Sequence, residues 1–182
     1  MKAIFVIWLL VLACTAGVSG QGPSKSYFTD TVVVDQDGRQ RRFYTDLLEG
    51  NVVVINAFHT NCTSTVPVMT ATLRALQRNL ASRAKEFNIL SMSVDPTDDA
   101  ARAKAFAVKY EAGPGWYFVT GEKANMAEVL KKLGMYVENK EDHSTVIIVG
   151  NMRTGLWKKA YGLAKAEDIE AVVLSVLDDK GK

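Results

Sequence analysis

Cysteine is scarce in this 182-residue chain, which holds only Cys14 and Cys62. Two thiols exclude a disulfide-rich scaffold and a four-thiolate zinc site. Charge of one sign is also lacking: 22 Lys and Arg face 20 Asp and Glu, a formal charge of +2, and the basic residues are spread along the chain. Nothing there marks a nucleic-acid binder. Four prolines and 13 glycines are too few for a collagen-like or low-complexity chain. No internal repeat and no linker interrupt the sequence. What is present, 48% hydrophobic and 23% charged residues, is the balance of one globular domain long enough to bury a core.

The first twenty residues stand apart from that domain. Met1 and Lys2 form a short positive region, Ala3 to Val18 is apolar, and Ser19-Gly20 precedes the polar stretch Gln21 to Ser26. The apolar run is shorter than the about 20 residues a bilayer span needs. It reads as a secretory signal peptide, residues 1–20, cut near Gly20, with residues 21–182 as the domain. Two alternatives stay open: an uncleaved amino-terminal anchor, or a lipid on Cys14 within Val11-Leu12-Ala13-Cys14, a loose lipobox. Membrane association is expected through that terminus alone. Export to the periplasm or cell envelope then leaves Cys62 as a single thiol. In an oxidising compartment such a thiol is free, metal-bound or paired with another molecule.

Tyr27 to Val34 and Arg39 to Tyr44 are β-rich around the turn Asp35-Gln36-Asp37-Gly38, an amino-terminal hairpin, and Leu47-Leu48 suit one helical turn. Asn51 to Phe58 is a continuous apolar run, the mark of a strand buried on both faces. Met69, Leu73, Leu76 and Leu80 recur at helical spacing and predict a helix over Pro67 to Ala84. A second buried strand follows at Phe87 to Val94, then a helix capped by Asp98 or Asp99 that runs to Tyr110. Trp116 to Val119 is a short strand, and Thr120 is expected to cap a helix over Glu122 to Leu133 that Gly134 stops. Ser144 to Val149 and Leu156 to Tyr161 read as a hairpin around a turn at Gly150 to Gly155. The last helix, Lys165 to Leu177, would bury Ile169, Val172, Val173, Val176 and Leu177. The order predicts an α/β fold of thioredoxin-like type: a central mixed sheet flanked by helices, with the amino-terminal hairpin in front. Chemistry in such sheets sits past the carboxyl ends of the strands, where the loop His59 to Thr65 falls.

Cys62 lies after a buried strand and before a helix start, where backbone N–H groups and the helix dipole favour a thiolate. His59 is three residues away, and His143, the other histidine, immediately precedes a strand. A thiolate and an imidazole together suit Cu(I), or equally a nucleophile with its proton-transfer partner. Taken singly each residue has a plainer reading: a buried small hydrophobe for Cys62, a turn residue for His143, a loop residue for His59. Met69 on the apolar face of its helix reads as core. Asp95, before Pro96, reads as a turn former that could also orient the Cys62 loop.

Three segments resemble one family. Thr60-Asn61-Cys62-Thr63-Ser64-Thr65-Val66-Pro67 is similar to the T-x-C-P-x-x-C-P motif of SCO/SenC proteins. Ser93-Val94-Asp95-Pro96-Thr97-Asp98-Asp99 resembles their S-x-D-P-x-x-D segment, and Asp142-His143-Ser144 their D-H-[ST] stretch. The resemblance runs over roughly residues 25 to 178. It implies an exported thioredoxin-like protein that binds copper through two Cys and one His. Such proteins deliver copper to cytochrome c oxidase or act as thiol–disulfide reductants in its assembly. The implied partner is an oxidase subunit or another envelope protein. The departure is chemical: Val66 stands where the second Cys belongs and Thr63 where the first Pro belongs. The resemblance therefore carries over Cys62 and His143 as copper ligands and nothing at Val66. His59 could complete the set if its loop bends inward.

Three functions remain open at this point. One is copper binding or delivery with a reduced Cys/His ligand set. Another is single-cysteine thiol oxidoreductase or peroxidase-like chemistry at Cys62. Against peroxidase, Thr60 is one residue too close to Cys62 for the P-x-x-x-T-x-x-C pattern. The third is a partner-binding module without catalysis. Enzymatic activity is left undecided by the missing second thiol.

Overall fold

The computed structural model describes residues 25–181, so the signal-peptide reading and Cys14 lie outside the described residues. A five-stranded sheet forms the centre, in the order β5-β4-β3-β6-β7. Its strands are β3 (Val52–Phe58), β4 (Phe87–Ser93), β5 (Trp116–Val119), β6 (Val146–Asn151) and β7 (Trp157–Tyr161). β3, β4 and β5 run parallel, while β6 is antiparallel to β3 and to β7. The mixed α/β arrangement with a closing antiparallel pair is the one the element order predicts.

Every residue of β3 is buried, and the two faces of its pleat feed two separate cores. Val52, Val54 and Phe58 pack with Leu73 and Leu76 of α2 (Thr65–Asn79), Phe106 of α3 (Ala100–Lys109) and Ile169 and Val173 of α5 (Ala166–Leu177). Val53, Ile55 and Ala57 point the other way, onto Phe43, Leu47 and Leu48 and onto Met126, Val129 and Leu130 of α4 (Lys123–Leu133). A strand covered on both sides has no polar alternation to show, which is why NVVVINAF reads as one apolar run. Among the described residues no helix is long and apolar enough to cross a membrane.

The amino-terminal hairpin is shorter than expected. Lys25–Phe28 forms one helical turn, α1, and β1 spans only Val32–Val34, pairing with β2 (Gln40–Arg42). Thr29, at φ 55°, breaks the chain between them, and Phe28 turns inward against Phe43 and Trp157. Phe43–Leu48 then winds a wide helical turn, closed by Glu49 N–H donating to the Tyr44 carbonyl. Burying Phe43, Leu47 and Leu48 on one side overrides the strand propensity of Phe43 and Tyr44.

Other boundaries shift for local reasons. α2 begins at Thr65, with Pro67 inside its first turn, where the missing N–H costs nothing, and ends at Asn79, before a short turn at Ala81–Arg83. Asp99, not Asp98, caps α3 by accepting from the Arg102 N–H. Thr120 does not cap α4: its N–H and carbonyl both pair with Val34, joining the small hairpin to the main sheet. Gly134 stops α4 in the left-handed conformation, as expected. β6 starts at Val146 and runs through Gly150 to Asn151, because the Trp157 ring lies where a Cβ on residue 150 would stand. Val172 is half-buried, not fully buried like its neighbours Ile169 and Val173.

Candidate functional site

The register of the sheet explains how distant residues meet. β6 pairs with β3 through Val52↔Asn151 to Ile55↔Ile148, so extending that register brings His143 level with Thr60, just past the end of β3. The loop after β3 is folded back by a turn in which the Cys62 N–H donates to the His59 carbonyl at 3.2 Å. That turn aims His59 and Cys62 at the same point.

The three side chains converge. Cys62 Sγ lies 3.7 Å from His143 Nε2, and the two imidazole rings sit 5.4 Å apart at 73°. The ligand atoms of His59, Cys62 and His143 all lie within 4.8 Å of one another. All three residues are buried, His59 completely. The Nδ1 of His143 lies 3.4 Å from the Ser144 carbonyl. A proton placed on Nδ1 points at that acceptor and leaves Nε2 free toward the sulfur. The Thr65 hydroxyl, 3.3 Å from the same Nε2, completes its surroundings.

His59 is the anomaly. Neither ring nitrogen has a hydrogen-bond partner although both are buried. Glu141 approaches Nε2 only to 3.9 Å, too long for a hydrogen bond. Burial holds the pKa of this imidazole below its ordinary value, so it stays neutral and keeps a lone pair. A buried polar group without a partner costs roughly 1–3 kcal/mol. Donors of one thiolate and two neutral imidazoles suit a soft or borderline metal ion, which would satisfy His59. The donor set therefore fits a metal.

The thiol of Cys62 is tuned as well. Burial pushes its pKa up, but the Ser64 hydroxyl, the N–H groups of Val66 and Ser64, and His143 together bring it down to about 6. Those N–H groups belong to the first turn of α2 and its approach, as the strand–loop–helix reading of the sequence expects.

Two carboxylates at the end of β4 hold the two loops in place. Asp98 accepts from the Thr60 N–H at 3.1 Å, from the Thr60 hydroxyl, and from the Ser93 hydroxyl at 2.7 Å. It is Asp98, then, that anchors the Cys62 loop. Asp95 accepts from the N–H and hydroxyl of Thr97, forming its turn, and from Lys140 Nζ at 2.6 Å. Through Lys140 it ties down the turn Lys140–Asp142 that leads into His143. Sequence reasoning missed Asp98 because a helix-capping role was open to it and satisfied the pattern. Met69 is fully buried among apolar side chains, as the core reading has it. Tyr110 lies near enough to the thiolate that the two charges would repel, and burial together with Cys62 raises its pKa.

Comparison with known proteins agrees with this geometry. The SCO1/SenC family matches residues 21–176. The SCO1 protein homolog of Bacillus subtilis (strain 168) is 30% identical over 146 residues, 78% of this chain and 74% of that protein. BsSco, described as a member of the Sco family of cytochrome c oxidase assembly proteins with a disulfide switch, is 28% identical. It superposes with a TM-score of 0.67 over 82% of this chain and 92% of its own. Bradyrhizobium japonicum ScoI, solved with copper bound, shares the fold at 21% identity and a TM-score of 0.67, covering 80% of this chain and 96% of its own. With the fold, the three motif segments and these matches in agreement, the chain belongs to the SCO1/SenC family.

Proposed function

We propose that this protein binds copper, as Cu(I), through Cys62, His143 and His59, and serves copper handling in the assembly of cytochrome c oxidase at the cell envelope. The observation that carries the reading is the convergence of one thiol and two imidazoles within 4.8 Å, one of them buried with both nitrogens unpartnered. Cys62 and His143 stand where the family motifs put copper ligands, and His59 supplies from the loop the third donor that Val66 cannot. The oxidase context comes from the family and from what BsSco is described as doing. The amino-terminal pattern Met1 to Gly20 supports export, and the partner would be an oxidase subunit or another envelope protein.

The low pKa of Cys62 supports a second reading, thiol exchange with a partner cysteine. Peroxide chemistry has less support: the Thr60 hydroxyl is committed to Asp98.

Competition of the reduced protein with a Cu(I) chelator tests the copper reading. Cys62→Ser and His143→Ala should each weaken Cu(I) binding by at least tenfold, and His59→Ala by less. Unchanged affinity in both of the first two variants, with folding intact by circular dichroism, would end the reading.

A further inference from the structure

We propose that the open face of β7, with the adjoining α1, rests on an anionic membrane surface, a contact made by the folded domain beyond any made by the amino-terminal segment. The inference stands apart from the copper reading.

The first ground is what the fold leaves uncovered. β7 is an edge strand of the sheet, and its side chains alternate between two faces. Lys158 and Ala160 turn toward α5: Lys158 Nζ donates to the Ser175 hydroxyl at 2.8 Å, and Ala160 packs on the core that α5 shares. Trp157, Lys159 and Tyr161 take the other face, where Lys159 pairs with half-buried Ile148 of β6. On that side α4 packs over β3, β4 and β5, while Phe28 of α1 reaches Trp157. An open groove of about 430 Å³ remains, with Tyr27, Phe28, Ile148 and Trp157 in its lining. Tyr27 is 51% exposed and Tyr161 59%.

The second ground is chemical. Trp and Tyr rings settle at the headgroup level of a bilayer, and lysines beside them attract anionic headgroups. Lys132, Lys158 and Lys159 line the same groove, and among the described residues no carboxylate does. Lys132 is paired with Glu128 at 3.0 Å, so the uncompensated charge is that of Lys158 and Lys159, both exposed. A second copy of this chain fits the face poorly. Pairing β7 with itself about a two-fold axis would set these lysines near their own copies, and like charges opposite one another destabilise an antiparallel pair.

The third ground is the tether. The apolar run Ala3 to Val18 is followed by residues 19–24 and then by Lys25, the first residue of α1. Those few residues span at most about 25 Å. When the run stays in the membrane, α1 and the groove are held at its surface, where a weak contact acts at high effective concentration. The face also leads to the functional site. Tyr161 pairs with Val146, three residues after His143, so a domain resting on β7 keeps the Cys62–His143 end of the sheet beside the membrane, in reach of a membrane-embedded partner.

The test uses the full chain with Trp8→Phe, which leaves Trp116 and Trp157 as the tryptophans. It is mixed with vesicles of phosphatidylcholine, alone or with phosphatidylglycerol, whose brominated acyl chains quench nearby indoles. Trp116 is 1% exposed and serves as the unquenched background. The expected result is quenching in the anionic vesicles, absent from the uncharged ones and lost in Trp157→Phe. Lys158→Gln with Lys159→Gln should lower the ratio of docked to undocked domain by about fivefold per lysine, with Cu(I) affinity unchanged. Quenching that is absent, or equal in both kinds of vesicle, overturns the proposal. A shift in Trp157 emission that follows protein concentration without lipid would assign the face to a second copy, and one produced by poly-glutamate but not by vesicles would assign it to an acidic protein; either result also overturns it. Both lysines are exposed, so their variant and the two lipid compositions decide the matter even if Trp157→Phe does not fold.

Discussion

Asp98→Ala should damage the site without altering His59, Cys62 or His143. The Asp98 carboxylate is buried, at 6% exposure, and accepts three hydrogen bonds, two from Thr60 and one from Ser93. A hydrogen bond to a charged group contributes about 1.5–3 kcal/mol, but three sharing one side chain do not add, so a total loss of about 3 kcal/mol is reasonable. For a domain of this size that lowers the melting temperature by roughly 6–12 °C. The freed Thr60 lies between His59 and Cys62, so the loop that aims both side chains loses its anchor. Loss of groups that orient metal ligands typically costs about 10–100-fold in metal affinity, and Cu(I) competition should show a fall in that range. The neighbour Asp99 is the control. It caps α3 through the Arg102 N–H, so Asp99→Ala should cost about 1 kcal/mol and leave Cu(I) affinity unchanged. If both variants weaken copper equally, or neither does, Asp98 is not a positioning residue and the account of the loop is wrong.

Asp95 makes stability depend on pH. Burial raises its pKa, but Lys140 and Thr97 prevail and hold it at about 2, from an ordinary 3.8. A depressed carboxylate stabilises the fold above its ordinary pKa and ceases to as pH falls through the folded value. About 2 kcal/mol should therefore disappear between roughly pH 4 and 2, and denaturant titrations of Asp95→Asn should lack that limb. Gly162→Ala would set a Cβ 2.6 Å from the Thr145 carbonyl and 3.0 Å from Met69 Cε. Backbone cannot yield as a side-chain tip can, so a loss of about 1–3 kcal/mol should accompany weaker Cu(I) binding, since Thr145 is two residues from His143. Ser91→Ala would strand the Trp116 indole N–H and the Asn56 amide oxygen inside the sheet. The expected loss is about 2–3 kcal/mol in chemical denaturation, with Cu(I) affinity intact because these groups make no contact with His59, Cys62 or His143.

Much of this protein was legible in one dimension. β3, β4 and the stripe Met69, Leu73 and Leu76 are dictated by burial, and burial writes a period into the sequence that survives without coordinates. Cys62 at a strand–helix junction is legible for the same reason, since a buried strand must end before a helix can begin. Edges of elements are less legible: Phe43 and Tyr44 have strand propensity, yet three large side chains share one pocket and pull the segment into a wide turn. Thr120 looks like a helix cap until the hairpin strand at Val34 claims both its backbone groups.

The sequence by itself determined the alternation of strands and helices, the place of Cys62 at a strand–helix junction and the motif segments that mark the family. Tertiary structure alone decided that His59 faces the sulfur. Nothing in the order Phe58-His59-Thr60 says which way an imidazole points; a turn closed by the Cys62 N–H and a carboxylate 38 residues downstream set that direction. The sequence separation of 81 between Cys62 and His143 closes for a related reason, because an antiparallel pairing brings the start of one strand to the end of another. Local order carries propensity, but the meeting of these three side chains is a property of the register.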